Sequence, residues 1–351
     1  MNSYSTGTVE TVLEQQEITT DESQQTFFTQ KVEVLLDETG ERVTIPVGTE
    51  FQPLNEQQLL KVGSKVITTQ TQISDGEMQT VISDVYRLPI VWGLLGLFLV
   101  AVIAIARWQG FRSILGMILS IGILVFFIIP QLLSGADPFA TALFGSLLIG
   151  ASTIYLSHGV SIKSHIALGS LAVILAVVAM LSTISVSAAQ LVGLGSEEAY
   201  FLQFGETSVI NLQGLLLGGI VLGALGVLDD ITVSQVSVVF QLKFLKKKIS
   251  GKELYSRGLS VGKDHVASLV NTLVLAYAGA NLPLFLLVIL DPQTPLWVIL
   301  NSQVIVEEIV RTLVGSIGLV LAVPLTTAVC VAIAERLDEK QLKELADGHF
   351  H

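Results

Sequence analysis

The sequence predicts an α-helical polytopic membrane protein of about seven transmembrane helices, with a small all-β domain at its N-terminus. Three observations predict it. Seven mostly apolar stretches of about twenty residues, the length a helix needs to cross a bilayer, follow one another after residue 88. Charged residues make up 14% of the chain, against about 25% in soluble domains, and mean hydropathy is +0.69. The charge is also uneven. Residues 1–86 hold 4 Lys+Arg and 14 Asp+Glu, whereas the rest of the chain holds 15 and 16.

An acidic, water-facing module is therefore joined to a neutral, apolar body. The acidity excludes nucleic acid as a partner, because phosphate binding demands a basic face. Cys330 is the one cysteine and lies in an apolar run, so neither an internal disulfide nor a thiolate metal site is available. It reads as a small buried hydrophobe. Met1–Gly7 is polar and has no apolar core of a cleavable signal, so export of the first domain implies a signal or anchor upstream of this start.

Within residues 1–86, the extracytoplasmic domain, short strands are expected. Lys31–Leu36 and Arg42–Ile45 alternate around a turn at Gly40, and 62–70 and 80–86 are further β-rich stretches. Five or six such strands suit a small barrel, of which the OB type is one form. From residue 87 to 334 the transmembrane domain is expected, with spans near 89–107, 113–133, 138–157, 165–187, 208–228, 266–290 and 310–334. Arg107 and Arg112, Lys163, and the cluster Lys243, Lys246, Lys247, Lys248, Lys252, Arg257 and Lys263 mark alternate turns. Basic turns stay cytoplasmic, which places the N-terminal domain outside, a basic loop 229–264 inside, and the tail 335–351 inside. Ser250 followed by Glu253 matches a capping box that opens a short surface helix in that loop.

Several residues carry more than hydrophobicity. On the fifth span Gly214/Gly218 and Gly219/Gly223 are four apart, with Gly226 beyond. Small residues at this spacing let helices approach closely; backbone lining a path is the alternative. Asp229, Asp230, Thr232, Ser234 and Gln235 follow as a hard-oxygen set suited to protons or hard cations. The sixth span opens with Asp264 and His265, then Ser268, Asn271 and Thr272, a polar stripe that continues toward Tyr277 and Asn281. Such a face is expected to point into the bundle rather than at lipid, with Pro283 kinking the helix beyond. Glu307 and Arg311 stand at i,i+4 in the favourable order, and Glu308 lies at i,i+3 from Arg311. Ionisable groups this close to the bilayer are functional candidates, with a solvated interfacial helix over 295–310 as the alternative. Pro324 interrupts the backbone ladder of the seventh span. His158 and His165 flank Lys163 at a turn and read as titrating surface residues. The sequence carries no phosphate-binding loop, zinc-protease helix or nucleophile elbow.

The blocks Gly223–Gln235, Asp264–Pro283 and Glu307–Arg311, with Tyr86-Arg87-Leu88-Pro89 at the entrance to the first helix, resemble the YibE/F family of bacterial multipass membrane proteins over about residues 85–335. The resemblance implies a bacterial cytoplasmic membrane location. The expected function is transport by a secondary transporter or channel, for a proton, cation or small solute. It would use acids at the cytoplasmic side of helices 5–7, with no cofactor and no enzymatic step. The rival is a scaffold or sensor whose outer β-domain binds a ligand or partner. The lipid bilayer is the expected partner, together with a second copy or a paired homologous subunit.

Overall fold

The computed structural model describes residues 4–19, 26–49, 52–72, 78–204, 210–290 and 293–336. The expected tail 335–351, with His349 and His351, lies outside the described residues beyond Arg336. Two compact units result, Met1–Ala104 and Ile105–His351.

The first unit is built on a five-stranded antiparallel sheet of order β3-β2-β1-β4-β5: β1 Tyr4–Thr19, β2 Thr26–Leu36, β3 Arg42–Val47, β4 Lys65–Gln72 and β5 Met78–Val85. The strand alternation read from Lys31 to Ile45 is β2 and β3, and Gly40 takes the left-handed turn between them at φ 67°. The strands are not all short. β1 has 16 residues and pairs with both β2 and β4, with register shifts at Val9/Thr11 and Val12/Glu14. Such bulges bend a strand and tighten its twist, so the edge strands β3 and β5 come near each other and the sheet curls into a half-barrel. Its core is Val9, Val32, Val34, Leu36, Ile45, Leu60 and Val66. Buried Gln30 closes the side through two hydrogen bonds with the Leu60 backbone: its Oε1 accepts from the amide at 2.8 Å and its Nε2 donates to the carbonyl at 3.2 Å.

The rest of the chain is helical: α1 Leu88–Ile123, α2 Ile129–Leu133, α3 Pro138–His158, α4 Ile162–Ala188, α5 Glu197–Phe204, α6 Leu212–Leu245, α7 Gly251–Ala280, α8 Leu282–Leu290, α9 Leu296–Leu300 and α10 Gln303–Ala334. A wide π turn, Leu124–Ile128, joins α1 to α2. Among the described residues, five helical stretches are long and apolar enough to cross a membrane: 88–133, α3, α4, α6 and α10. The first holds two of the expected spans, parted only at Arg107, whose φ of 49° and ψ of −125° leave the helical region. Trp108 stacks on Phe111 at 5.3 Å just after this break, with the Arg112 guanidinium 5.9 Å from the Trp108 ring.

Helix starts follow the capping chemistry of the sequence. Asp137, Ser161, Asn211 and Ser250 each accept a backbone N–H of the first turn of α3, α4, α6 and α7. The segment 229–264, expected as a loop, is helix except for residues 246–250. α6 continues well past Asp230, and α7 is one 30-residue helix rather than a short surface helix followed by a span. Glu253 does not complete the box; it pairs with Lys246 at 2.8 Å and Arg257 at 2.9 Å. Those cations hold its carboxyl below its ordinary range, the Lys246 hydrogen bond contributing most.

α6 is the hub of the second unit and packs against α3, α4, α7 and α10. Leu171, Ile174, Leu175 and Val178 of α4 meet Ile220, Val221 and Leu228 of α6 and Leu319 and Val323 of α10 in one buried cluster. α7 joins this core through glycine. A Cβ on Gly258 would sit 3.0 Å from Thr327 Cγ2 and 3.1 Å from Val239 Cγ2, and one on Gly262 would overlap Val323 and lie 2.7 Å from Gln235 Oε1.

Candidate functional site

The structure divides the sequence's candidates among three places. The first is a cavity of about 650 Å³ in the second unit, where α6, α10, the end of α7 and the 193–199 segment converge. α10 contributes Glu307, Glu308 and Arg311, α7 contributes Tyr277, and the chain contributes Asn281 between α7 and α8. Gly195, Ser196 and Glu198 come from the segment before and within α5, and Gly218, Gly219 and Gly223 from α6.

Of the two acids within reach of Arg311 along the helix, Glu308 pairs with it. Arg311 donates to Glu308 Oε1 at 2.6 Å, the i,i+3 partner. Glu307, 5% exposed, instead accepts from Gln303 Nε2 at 2.9 Å and from the Gly195 amide at 3.2 Å. The physical reason is helical phase: adjacent residues point about 100° apart, so Glu307 turns to the 193–199 segment and Glu308 to α7. The solvated reading of 295–310 therefore does not hold for these two acids. Glu308 Oε2 accepts from Asn281 Nδ2 at 2.9 Å, and the same amide donates to the Tyr277 carbonyl at 3.0 Å. Among the described residues the buried Arg311 Nε–H meets no hydrogen-bond acceptor. Glu198 keeps its carboxyl below its ordinary range chiefly by accepting its own backbone N–H. Three carboxylates face one guanidinium here, and the site favours positive charge.

Two backbone features shape this cavity. The expected kink at Pro283 is a full stop: α7 ends at Ala280, Asn281 turns, and α8 restarts at Leu282 with Pro283 in its first turn. Proline accepts that position because its missing N–H has no helical partner there. The α6 glycines split between the two readings. Gly218 lets α3 approach, with an added Cβ only 2.7 Å from Ala142 Cβ, and Gly214 meets Pro138. Among the described residues nothing lies within 4 Å of a Cβ added at Gly219 or Gly226, which corrects their expected packing within the chain; Gly219 lines the cavity, as does Gly223 beneath the Tyr277 hydroxyl.

The second place lies further along α6. Half-buried Asp229 accepts from Thr153 Oγ1 of α3 at 3.1 Å, while Asp230 is exposed. Buried Thr232 donates to the Asp229 carbonyl at 2.8 Å. Gln235, 2% exposed, donates from one nitrogen to the Gly258 carbonyl at 2.9 Å and to Thr327 Oγ1 at 2.8 Å. That amide clamps α6, α7 and α10 together. Contrary to the expectation of one acidic side of helices 5–7, Glu307 and Glu308 lie by the 193–199 segment and the start of α6, and Asp229 and Asp230 toward its basic end.

The third place corrects the polar stripe. Asp264, His265, Ser268, Asn271 and Thr272 are exposed on α7, not turned into the bundle. The face that α7 buries carries Leu254, Gly258, Gly262 and Leu273. Close approach through Gly258 and Gly262 outweighs the pull of the polar face, and Thr272 satisfies its own hydroxyl on the Ser268 carbonyl at 3.0 Å. At the turn before α4, Tyr155 and His165 Nδ1 share a hydrogen bond of 2.8 Å. Among the described residues, no three His, Cys, Asp or Glu side chains converge as a metal-ligand set.

Sequence reading missed Thr153, Gly195, Ser196 and Glu198. Thr153 and Gly195 have no local signal, since each matters through a partner 76 or 112 residues away. Gly258 and Gly262 did have one, the four-residue glycine spacing, but it sat in the expected loop.

Several apolar helices of bilayer-crossing length, packed around a shared hub, define a protein of the multipass membrane class. A model of the YibE/F-like protein family matches residues 94–336, and the chain belongs to that family. No curated protein and no solved structure matches it significantly.

Proposed function

We propose that the protein is a membrane transport protein, a secondary transporter or channel, that carries a cation or small positively charged solute through the cavity at Glu307, Glu308 and Arg311. One observation carries the reading: a discontinuous helix, α7/α8, presents its break at Asn281 to a cavity that also holds buried Glu307 and half-buried Glu308. Broken helices and ionisable side chains at bilayer depth are features that transporters concentrate at their sites. All seven expected spans are taken to cross the bacterial cytoplasmic membrane. The loops near 135 and 195 lack Lys and Arg, so by the positive-inside bias this cavity opens outward. The N-terminal half-barrel then also lies outside, and its five antiparallel strands around a long bent β1 support the reading of an OB-type barrel.

Removing residues 1–86 separates this reading from a scaffold or sensor. Under transport, cation flux into proteoliposomes is expected to persist, altered less than tenfold; complete loss of flux from folded, truncated protein favours the outer domain as the working part.

A second reading concerns partners and rests on the exposed α7 stripe. Ser268, Thr272, Ala276 and Ala280 repeat every fourth residue on its exposed surface, beside Asn271. Small residues and a self-complementary amide are what helix association in lipid uses. We infer that two copies pair along α7. Asn271→Cys is expected to cross-link into a dimer on oxidation in membranes, while Val173→Cys, on the exposed side of α4, is not; equal cross-linking of both would remove the inference.

A further inference from the structure

A second, smaller cavity of about 200 Å³ lies beside the first, between α7, α8 and α10. Val274, Leu284, Phe285, Ile305, Ile309 and Leu313 make it almost wholly apolar. Phe285, Ile309 and Leu313 are exposed, so the groove opens to the outside of the helix bundle. At the level of apolar helices that outside is acyl chain. The groove and the acidic cavity are neighbours, not separate sites: Tyr277, Asn281 and Glu308 line both. The wall between them is a phenol, an amide and one carboxylate, held by the Asn281–Glu308 hydrogen bond of 2.9 Å.

A solute that is only a small ion has no use for the groove. A lipid tail alone has no use for three carboxylates and a guanidinium. A molecule with both parts fills both spaces at once. Building on the transport reading above, we propose that the cargo is an amphiphilic cation. Its positively charged head sits in the cavity against Glu307, Glu308 and Glu198, and its apolar tail lies in the groove along Ile309 and Leu313. The wall sits at the junction of head and tail, and the Glu308 carboxylate faces the charge from there. Entry is then lateral, from the bilayer, because the groove is the side open to lipid.

Full-length protein in lipid nanodiscs tests this with radiolabelled alkyltrimethylammonium ions, from tetramethyl- to decyl-, measured as saturable binding in excess of empty nanodiscs. Affinity is expected to rise about fourfold per methylene over the first several carbons, the gain of burying each one. Leu313→Trp, which fills the groove, should remove the dependence on chain length while tetramethylammonium still binds. Glu308→Gln should weaken every member at least tenfold, and decyl sulfate should not compete. Tetramethylammonium that binds through Glu308 with no gain from longer chains overturns the amphiphile and leaves the cation site standing. Preference for decyl sulfate overturns the sign of the head, and no binding above empty nanodiscs by folded protein overturns both the amphiphile and the cation-site reading.

Discussion

Glu308→Leu is expected to abolish transport and to cost about 1–3 kcal/mol of stability. The substitution leaves Arg311 without the carboxylate that pairs with it among the described residues, and leaves the Asn281 amide with the Tyr277 carbonyl alone. Removing one member of a fully buried ion pair costs about 3–5 kcal/mol, because the survivor is stranded without water. Here the side chains are 22% and 31% exposed, so water relieves part of that cost. Glu308→Gln keeps an oxygen for Arg311 or Asn281 and should restore most of the stability but not the flux. Unfolding in detergent measures the first, proteoliposome uptake the second. A Gln variant as unstable as Leu would mean the charge, and not the hydrogen bonds, holds the site together.

The largest effect away from the cavity is expected at Gly262. Gly262→Ala places a methyl against the Val323 side chain and 2.7 Å from Gln235 Oε1, among residues 1% and 2% exposed. Neither neighbour can retreat, since both belong to the α6–α7–α10 junction that the Gln235 amide clamps. Overpacking of this kind costs about 1–3 kcal/mol, and here it also threatens two hydrogen bonds. Gly279→Ala is the contrast. An added Cβ there meets nothing within 4 Å, so relief of helical glycine entropy should make it neutral or stabilising by up to about 1 kcal/mol. Thermal unfolding of the two variants should therefore move in opposite directions. A harmless Gly262→Ala would show that α7 does not lie this close to α10.

Much of the fold was legible because its signals are local. Apolar runs of bilayer length mark where helices must be, and Ser250 marks where one starts, since capping is decided within four residues. The alternation around Gly40 marks a hairpin for the same reason. What was not legible depends on long-range choice. The segment after Asp230 carries charge and reads as a loop, yet Gln235 and Phe240 are buried and hold it as helix against α7 and α10. The stripe from Asp264 to Thr272 reads as an inward face because composition shows polarity but not which side wins, and two glycines on the other side win. At the site, the residue types on α10 were visible and their partners were not. Whether Arg311 meets Glu307 or Glu308 is settled by what stands opposite each acid, namely Gly195 and Asn281, and neither is near in sequence.

Cation transport by this protein requires the cavity at Glu307 and Glu308 to be a route for positive charge. The direct test is uptake by proteoliposomes under a panel of proton, alkali, divalent and tetramethylammonium gradients. Wild type would be compared with Glu307→Gln/Glu308→Gln and with Glu41→Gln in the outer domain as a charge control. Flux of at least one cation is expected in wild type and in Glu41→Gln, falling at least tenfold in the double variant although that protein remains folded. Undiminished flux in the folded double variant, or no cation flux from folded wild type, would contradict cation transport by this route.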